Sequence, residues 1–239
     1  KKPRSTSASL SQKTLATTHL TAIITAAGSG NRMGFDKMFA KIGDQPVLRH
    51  SIAAFEKTRQ VNDIIIVARK DRVSLVSDLV REAAFKKVRH VIKGGERRQD
   101  SVACALSHVA DSCQFISVHD GARPWVTPTQ IERVLQAAAA SGAAASAHPV
   151  TETLKRADKD FLVSEDISRE AMWAMETPQI FRSEILKQAF AKVIAENLEV
   201  SDEVSAVQRL GLPVQLVHNE SLNPKITFPA DLQFPPPTL

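Results

Sequence analysis

Three stretches of this chain carry residues that could do chemistry with anions. In the first, an apolar run at 21–26 passes into Gly28, Gly30 and Gly34, with Arg32 inside the glycine stretch and Lys37 five residues beyond it. Glycines let backbone N–H groups approach a polyphosphate, and the N-terminus of a following helix favours negative charge. An arginine placed there can grip phosphate oxygens with two N–H groups, and a lysine adds a mobile point charge. The second stretch is GGERRQDSV (94–102) and the third is VHDGARP (118–124). No Ser/His/Asp or Cys/His set stands near these stretches, so phosphate handling fits them better than nucleophilic catalysis.

Two familiar phosphate loops are excluded at particular positions. A Walker A loop requires Gly-Lys followed by Ser or Thr, which is missing here. A dinucleotide fingerprint requires glycine or alanine where Met33 stands, and an acid about 20 residues further on. That region instead reads HSIAAFE, inside a helical pattern.

The elements that must position these residues alternate along the chain. Residues 21–26, 63–68, 88–93 and 114–119 read as strands, the first, second and fourth nearly continuously apolar, as strands buried on both faces are. Between them 46–59, 72–85 and 100–110 have helical spacing. Thr127, Pro128 and Gln130 form a capping box that opens a helix over 128–140. Ser183 and Ser201 are further N-cap candidates, and Gly211 stands where a terminal glycine would close a helix. This βαβα order predicts an α/β fold, Rossmann-like, with a mostly parallel sheet and helices on both faces. The loops 27–37, 94–101 and 120–125 then all leave the carboxyl ends of strands, where ligands bind in such sheets. One segment breaks the rhythm: 151–168 reads as two extended pieces about a polar turn at 157–160, a protruding β-arm.

Composition narrows the remaining classes. Hydrophobic residues at 43% and charged residues at 24% describe an ordinary globular chain with ample core. Nothing approaches the roughly 20 apolar residues of a membrane span; the Ala-rich run 137–147 is broken by Ser141 and Gly142. The net charge of +5 resides mainly in Lys1, Lys2, Arg4 and Lys13, with no acid among the first 20 residues. The rest of the chain is nearly balanced, which argues against nucleic acid as a partner. The expected division is a disordered basic leader over 1–19, one domain over 20–232 and a Pro-rich tail over 233–239. Cys104 and Cys113 lack metal-site spacing and read as small buried apolar residues in a reducing, cytoplasmic protein.

The motifs also carry a resemblance. AAGSGNRMG followed by Lys37 looks like the signature of nucleotidyltransferases. With GGERRQDSV, VHDGARP, TETLKR (151–156), ISREAMWAMETPQIF (167–181), SDE (201–203) and NPKIT (223–227), the chain resembles the 2-C-methyl-D-erythritol 4-phosphate cytidylyltransferase family of the non-mevalonate isoprenoid pathway. The resemblance covers residues from about 20 to about 232. It implies a nucleotide-diphospho-sugar transferase-like fold, CTP and a phosphorylated polyol as substrates, Mg²⁺ as the divalent cation, and a homodimer built through the 151–168 arm.

The resemblance also implies roles. Arg32 and Lys37 would contact the CTP phosphates and stabilise the transition state. Gly28 and Gly30 would line the triphosphate, while Gly95, Glu96, Ser101 and the Ala26–Ala27 backbone would hold the base. Asp120, at the end of an apolar strand, suits a ribose hydroxyl or the Mg²⁺ shell through water; burial as a structural acid paired with Arg123 is the competing reading. Asp100 reads as a helix cap. Arg169, Lys225, Thr153, Thr177, Arg123 and Ser201 would position the second substrate, with Thr153, Arg169 and Thr177 serving the partner's site. The chain departs from the family pattern at Asp36-Lys37-Met38, at Pro224, and in FPPPTL (234–239), which forbids a closing helix. A ribitol 5-phosphate cytidylyltransferase and an inactive nucleotide-binding scaffold are the alternatives.

Overall fold

In the computed structural model, which describes residues 18–28, 35–221 and 223–237, the first strand, β1 (Leu20–Ala26), is buried along its whole length. The two-residue strands β2 (Lys41–Ile42) and β3 (Gln45–Pro46) lead into α1 (Val47–Lys57), followed by β4 (Val61–Ala68), α2 (Val73–Glu82) and β5 (Val88–Lys93). Next come α3 (Arg98–Leu106), β6 (Phe115–Asp120), α4 (Pro128–Ser141) and β7 (Ala143–Pro149). The chain continues through β8 (Leu154–Ala157), β9 (Val163–Ile167), β10 (Trp173–Arg182), α5 (Ser183–Ala195), α6 (Glu203–Gln208) and β11 (Gln215–His218).

Seven strands form one sheet in the order β11-β7-β10-β6-β1-β4-β5. Strand β10 runs antiparallel to both neighbours, and the other pairings are parallel. Alternation along β1 feeds two cores, because successive side chains point to opposite faces. Ala22 and Ile24 join Leu48, Ile52 and Phe55 of α1 and Ile131, Val134 and Leu135 of α4 on one face. Ile23 joins Val102 and Ala105 of α3 and Leu186, Phe190 and Val193 of α5 on the other. Each fully buried Ile or Leu contributes about 1.5–3 kcal/mol of apolar burial, so β1 anchors both layers.

The four strands expected from apolar runs are β1, β4, β5 and β6, each within two residues of its expected bounds. Helix 128–140 is α4, and the Thr127 hydroxyl accepts from the Gln130 N–H at 3.2 Å, as the cap requires. Helix α3 begins two residues before its expected start, and Asp100 reaches back to accept from the Arg97 N–H. Two caps require correction. Arg182, not Ser183, precedes α5, and the side chain that caps α6 is Asp202, not Ser201, accepting from the Ser205 N–H at 2.8 Å. Cys113 is buried as expected, whereas Cys104 is exposed; both are free thiols.

The 151–168 segment forms the hairpin of β8 and β9, with Leu154 opposite Ile167. At its end Phe161 is 90% exposed and adopts a φ of +61°. After a short helical turn (Pro229–Gln233) the chain is extended at Phe234 and packs back on the domain: Trp125 Nε1 donates to the Pro235 carbonyl at 2.9 Å and its ring meets Phe234 edge-on. Among the described residues no helix is long and apolar enough to cross a membrane. The leader lies outside the described residues, apart from its last two positions.

Candidate active site

Strand order reverses between β1 and β6, and an open parallel sheet leaves a crevice beyond its carboxyl ends at such a point. A cavity of about 450 Å³ occupies it, with Thr25 and Asp120 contributed by the ends of β1 and β6. Ala27, Gly28, Gly95, Glu96 and Ser101 line one side, and Lys37, Met38, Arg69 and Lys225 line the rest.

Asp120 is the electrostatic centre of this cavity. Its Oδ1 accepts from Arg98 Nε at 3.1 Å, its Oδ2 accepts from Lys225 Nζ at 2.7 Å, and Arg123 Nε stands 3.9 Å away. Burial alone would raise its pKa, but the charges of Arg98 and Lys225 outweigh burial and hold the carboxyl well below the usual carboxylate range. Arg98 turns its other two nitrogens to Glu203 Oε1 and Oε2, at 2.6 and 3.0 Å. Burial opposes the charge on Arg98, yet Glu203 and Asp120 together push its pKa up. Glu203 itself is nearly inaccessible, and burial raises its pKa despite Arg98. The row Glu203–Arg98–Asp120–Lys225 thus alternates in sign. With Lys37, Arg69 and Arg97 also on the wall, cations outnumber acids and the cavity suits an anionic ligand.

Lys37 is fixed from both sides. Met38 is buried in the core beneath it, and its carbonyl accepts from the Leu48 N–H at 3.1 Å. Asp36 directs Oδ1 to the Met38 N–H at 3.1 Å and Oδ2 to Arg72 Nε at 2.7 Å. Its charge is therefore matched by Arg72, while Lys37 Nζ donates to the Ile226 carbonyl at 3.0 Å. The unusual Asp36-Lys37-Met38 triplet is a two-sided mount for the lysine.

The glycines of the second loop are required by close packing. A Cβ at Gly94 would stand 2.6 Å from Ser101 Oγ and 2.7 Å from Ala27 Cβ, and one at Gly95 would stand 2.4 Å from Asp100 Cβ. Only glycine lets this loop lie between the end of β1 and the start of α3, whose positive dipole end faces the same side. At Gly28 there is open space instead.

Ala27, Gly28, Lys37, Gly95, Glu96, Ser101, Asp120 and Lys225 are therefore brought together, with Ala26 buried just behind at the end of β1. Gly30 and Arg32 lie outside the described residues. Arg123 stands behind Asp120 and donates to the carbonyls of Asn223 (2.8 Å) and Met175 (3.2 Å), rather than lining the cavity. Thr177 also departs from expectation: it is buried in its own subunit, where its hydroxyl accepts from the Asp120 N–H at 3.1 Å and contacts His119 Nδ1 at 2.9 Å. Thr153 and Arg169 are exposed and do not line the cavity; an Arg169 guanidinium nitrogen donates to the Thr151 carbonyl. Ser201 is likewise exposed, with its hydroxyl on Ser205 at 2.9 Å.

Arg69, Arg98 and Glu203 escaped the sequence reading. Arg98 stands beside Arg97 in one run, and the start of α3 separates them: Arg97, extended at the N-cap, closes on Asp100, whereas Arg98, the first helical residue, turns inward to a partner 105 residues away. An acid at the first position of a helix after a loaded loop was the available signal for Glu203.

Residues 20–235 match the family model described as 2-C-methyl-D-erythritol 4-phosphate cytidylyltransferase (IspD). A protein of that name from Dehalococcoides mccartyi strain CBDB1 is 39% identical over 212 residues, covering 88% of this chain and 92% of its own. Another from Alkaliphilus metalliredigens is 37% identical over 218 residues, covering 89% and 90%. The solved structure of the Thermus thermophilus cytidylyltransferase superposes with a TM-score of 0.71 at 31% identity, covering 88% of this chain and 94% of that one. The 4-diphosphocytidyl-2C-methyl-D-erythritol synthase of Anaerococcus prevotii reaches 0.78 at 27% identity, covering 90% and 95%. With Lys37 and Lys225 on one cavity and the sheet order in place, this chain belongs to the 2-C-methyl-D-erythritol 4-phosphate cytidylyltransferase family of nucleotidyltransferases.

Proposed function

We propose that the chain performs its family's reaction, joining 2-C-methyl-D-erythritol 4-phosphate to the α-phosphorus of CTP with release of pyrophosphate, in isoprenoid precursor biosynthesis. The observation that carries this reading is the convergence of Lys37 and Lys225, from opposite ends of the chain, on one cavity beside Asp120. A phosphate monoester has a second pKa near 6 and is already mostly dianionic at neutral pH, so the attack needs no general base. The barrier lies in bringing two anions together and in the charge that builds on the phosphoryl group, which fixed cations relieve. Lys37 faces the α-phosphate and Lys225 the incoming phosphate. Arg32 lies in the glycine stretch with Gly28 and Gly30 and joins Lys37 on the triphosphate, by the family pattern.

Gly95, Glu96, Ser101 and the Ala26–Ala27 backbone form the base subsite, where tight glycine packing leaves little room beside α3. Asp120 serves the nucleotide side. The described residues hold no cluster of three metal-ligating side chains, so a divalent cation would take most ligands from the triphosphate and water. Asp120 fits that smaller role through water, since both its oxygens already hold cations. When bound, Mg²⁺ supplies neutralisation of the triphosphate charge. The arm is read as reaching a second copy of the chain, where Thr153 and Arg169 would complete the pocket for the phosphorylated polyol. Their absence from the lining of their own cavity and the exposed apolar end at Phe161, Leu162 and Val163 support that arrangement.

The test is pyrophosphate release with Mg²⁺, crossing CTP or UTP with methylerythritol 4-phosphate or ribitol 5-phosphate. Release confined to CTP with methylerythritol 4-phosphate is the expected result. Release with ribitol 5-phosphate instead would move the polyol assignment, and folded but silent protein would defeat the reading.

A further inference from the structure

Glu176 is a buried carboxyl group that the reaction outlined above leaves unused. It is 4% exposed, in the antiparallel strand β10, immediately before Thr177. Four side chains converge on it. Oε2 accepts from Asn219 Nδ2 at 2.8 Å, Ser146 Oγ at 3.1 Å and Asn223 Nδ2 at 3.2 Å, and Oε1 meets His148 Nδ1 at 2.8 Å. The Ser146 hydroxyl in turn accepts from Gln130 Nε2 at 3.0 Å. A buried group satisfied this fully is rigid, and removing it would orphan several donors together.

Two of its partners, Asn219 and Asn223, belong to the irregular segment that follows β11 and carries Lys225. The near end of that segment is tied by the Asn219 N–H to the Ala147 carbonyl at 2.9 Å, and the far end by the Ile226 N–H to the Ala122 carbonyl at 2.8 Å. Asn223 also donates to the Thr177 carbonyl at 2.9 Å, and its own carbonyl accepts from Arg123. The described residues 219–221 and 223–226 are therefore clamped at both ends of a strap, with Lys225 two residues from the clamp on Glu176 and next to the clamp on Ala122. Pro224 narrows the backbone freedom of Asn223 and stiffens the short span between.

We propose that Glu176 is a positioning residue that holds this strap so that Lys225 Nζ reaches the phosphate of the second substrate. The proposal rests on the reading of Lys225 given above. It predicts a selective defect. Glu176→Ala should lower kcat/KM for the phosphorylated polyol about 10-fold and leave the KM for CTP within about twofold, because Lys37 is mounted on Met38 and Asp36 and meets the strap at Ile226, whose own N–H is clamped on Ala122.

The deciding experiment is a double-mutant cycle between Glu176→Ala and Lys225→Ala, assayed by pyrophosphate release with each substrate varied in turn. If Glu176 acts through Lys225, adding Glu176→Ala to Lys225→Ala costs nothing more in kcat/KM for the polyol phosphate. A full additive loss in the Lys225→Ala background, or an equal rise in both KM values, overturns the proposal in favour of a general structural role. Should the alanine variant not fold, Glu176→Gln takes its place in the same cycle, with an expected loss of about threefold because most acceptor contacts survive. Silence of the unmodified enzyme would instead defeat the functional reading, and is distinguishable because it precedes any variant.

Discussion

The cavity beside β1 and the hairpin of β8 and β9 are both rich in charge, and they use it in opposite ways. At the centre of the cavity the charges are paired with buried partners: Arg98 is bound to Asp120 and to a Glu203 side chain that is 1% accessible. On the hairpin, Lys155 faces Asp166 and Arg156 faces Glu165 with both members of each pair open to solvent. Water screens the second kind, and exposed pairs contribute roughly 0–1 kcal/mol. In the first kind, removing one member leaves the other stranded in low dielectric. The centre of the cavity is thus specified by its charges, whereas the hairpin is specified by strand register and leaves Phe161, Leu162 and Val163 exposed at its end.

The sharpest way to break this contrast is at Lys37. Lys37→Ala should reduce kcat by about 10²–10³-fold with CTP still bound, because its charge matters most as the phosphoryl group gathers charge. Steady-state kinetics with a CTP binding isotherm would check it, and a loss confined to KM would contradict the assignment. Next in size, Glu203→Ala should cost about 3 kcal/mol or more of stability, read from the denaturant midpoint, by leaving Arg98 with one partner. A loss below about 1 kcal/mol would place that pair with the surface pairs of the hairpin.

The hairpin can be sharpened by mixing. Lys37→Ala and Arg169→Ala subunits, each inactive alone, should regain about a quarter of wild-type activity when unfolded and refolded together, because half of a two-fold assembly then carries one intact site in two. No recovery would confine Arg169 to its own subunit. A pH series separates the regions further. Burial pushes the pKa of His119 down to about 3, so the folded protein keeps it neutral while the unfolded chain protonates it below about 6.5. Stability should therefore fall as pH drops from 6.5 towards 3, and the slope should flatten in His119→Gln. The smallest effect is expected on the hairpin, where Arg156→Ala should move stability by less than about 0.5 kcal/mol.

These contrasts also explain what could be read in the sequence. Strands β1, β4 and β6 advertise themselves because burial on both faces demands unbroken apolar runs, and the loops after them inherit the chemistry. Strand β10 hides, because its buried Glu176, Thr177 and Gln179 look like loop residues until their distant partners are known. Strand β7 hides for a different reason: AAASAHP is too small and Ala-rich to show a period. At the site, the resemblance identified Lys37, Lys225 and Asp120, but not Arg98 or Glu203, whose pairing exists only in three dimensions. Thr177, expected in a partner's site, instead lies buried against Asp120 and His119 of its own chain, a placement that only the three-dimensional packing reveals.

The antiparallel strand within the seven-stranded sheet has a consequence for how the protein is made. Strand β10 lies between β6 and β7, both of which leave the ribosome before it. Until residue 182 has emerged, β6 and β7 each present an unpaired edge, and the β6 edge is buried throughout in the finished sheet. A nascent chain in that window holds the strands β5-β4-β1-β6 and a β7 whose two partners are both still to come, with edges open to pairing with other chains. Translation stalled or truncated between 150 and 172 should yield insoluble product, because the edges that β10 covers then stay open.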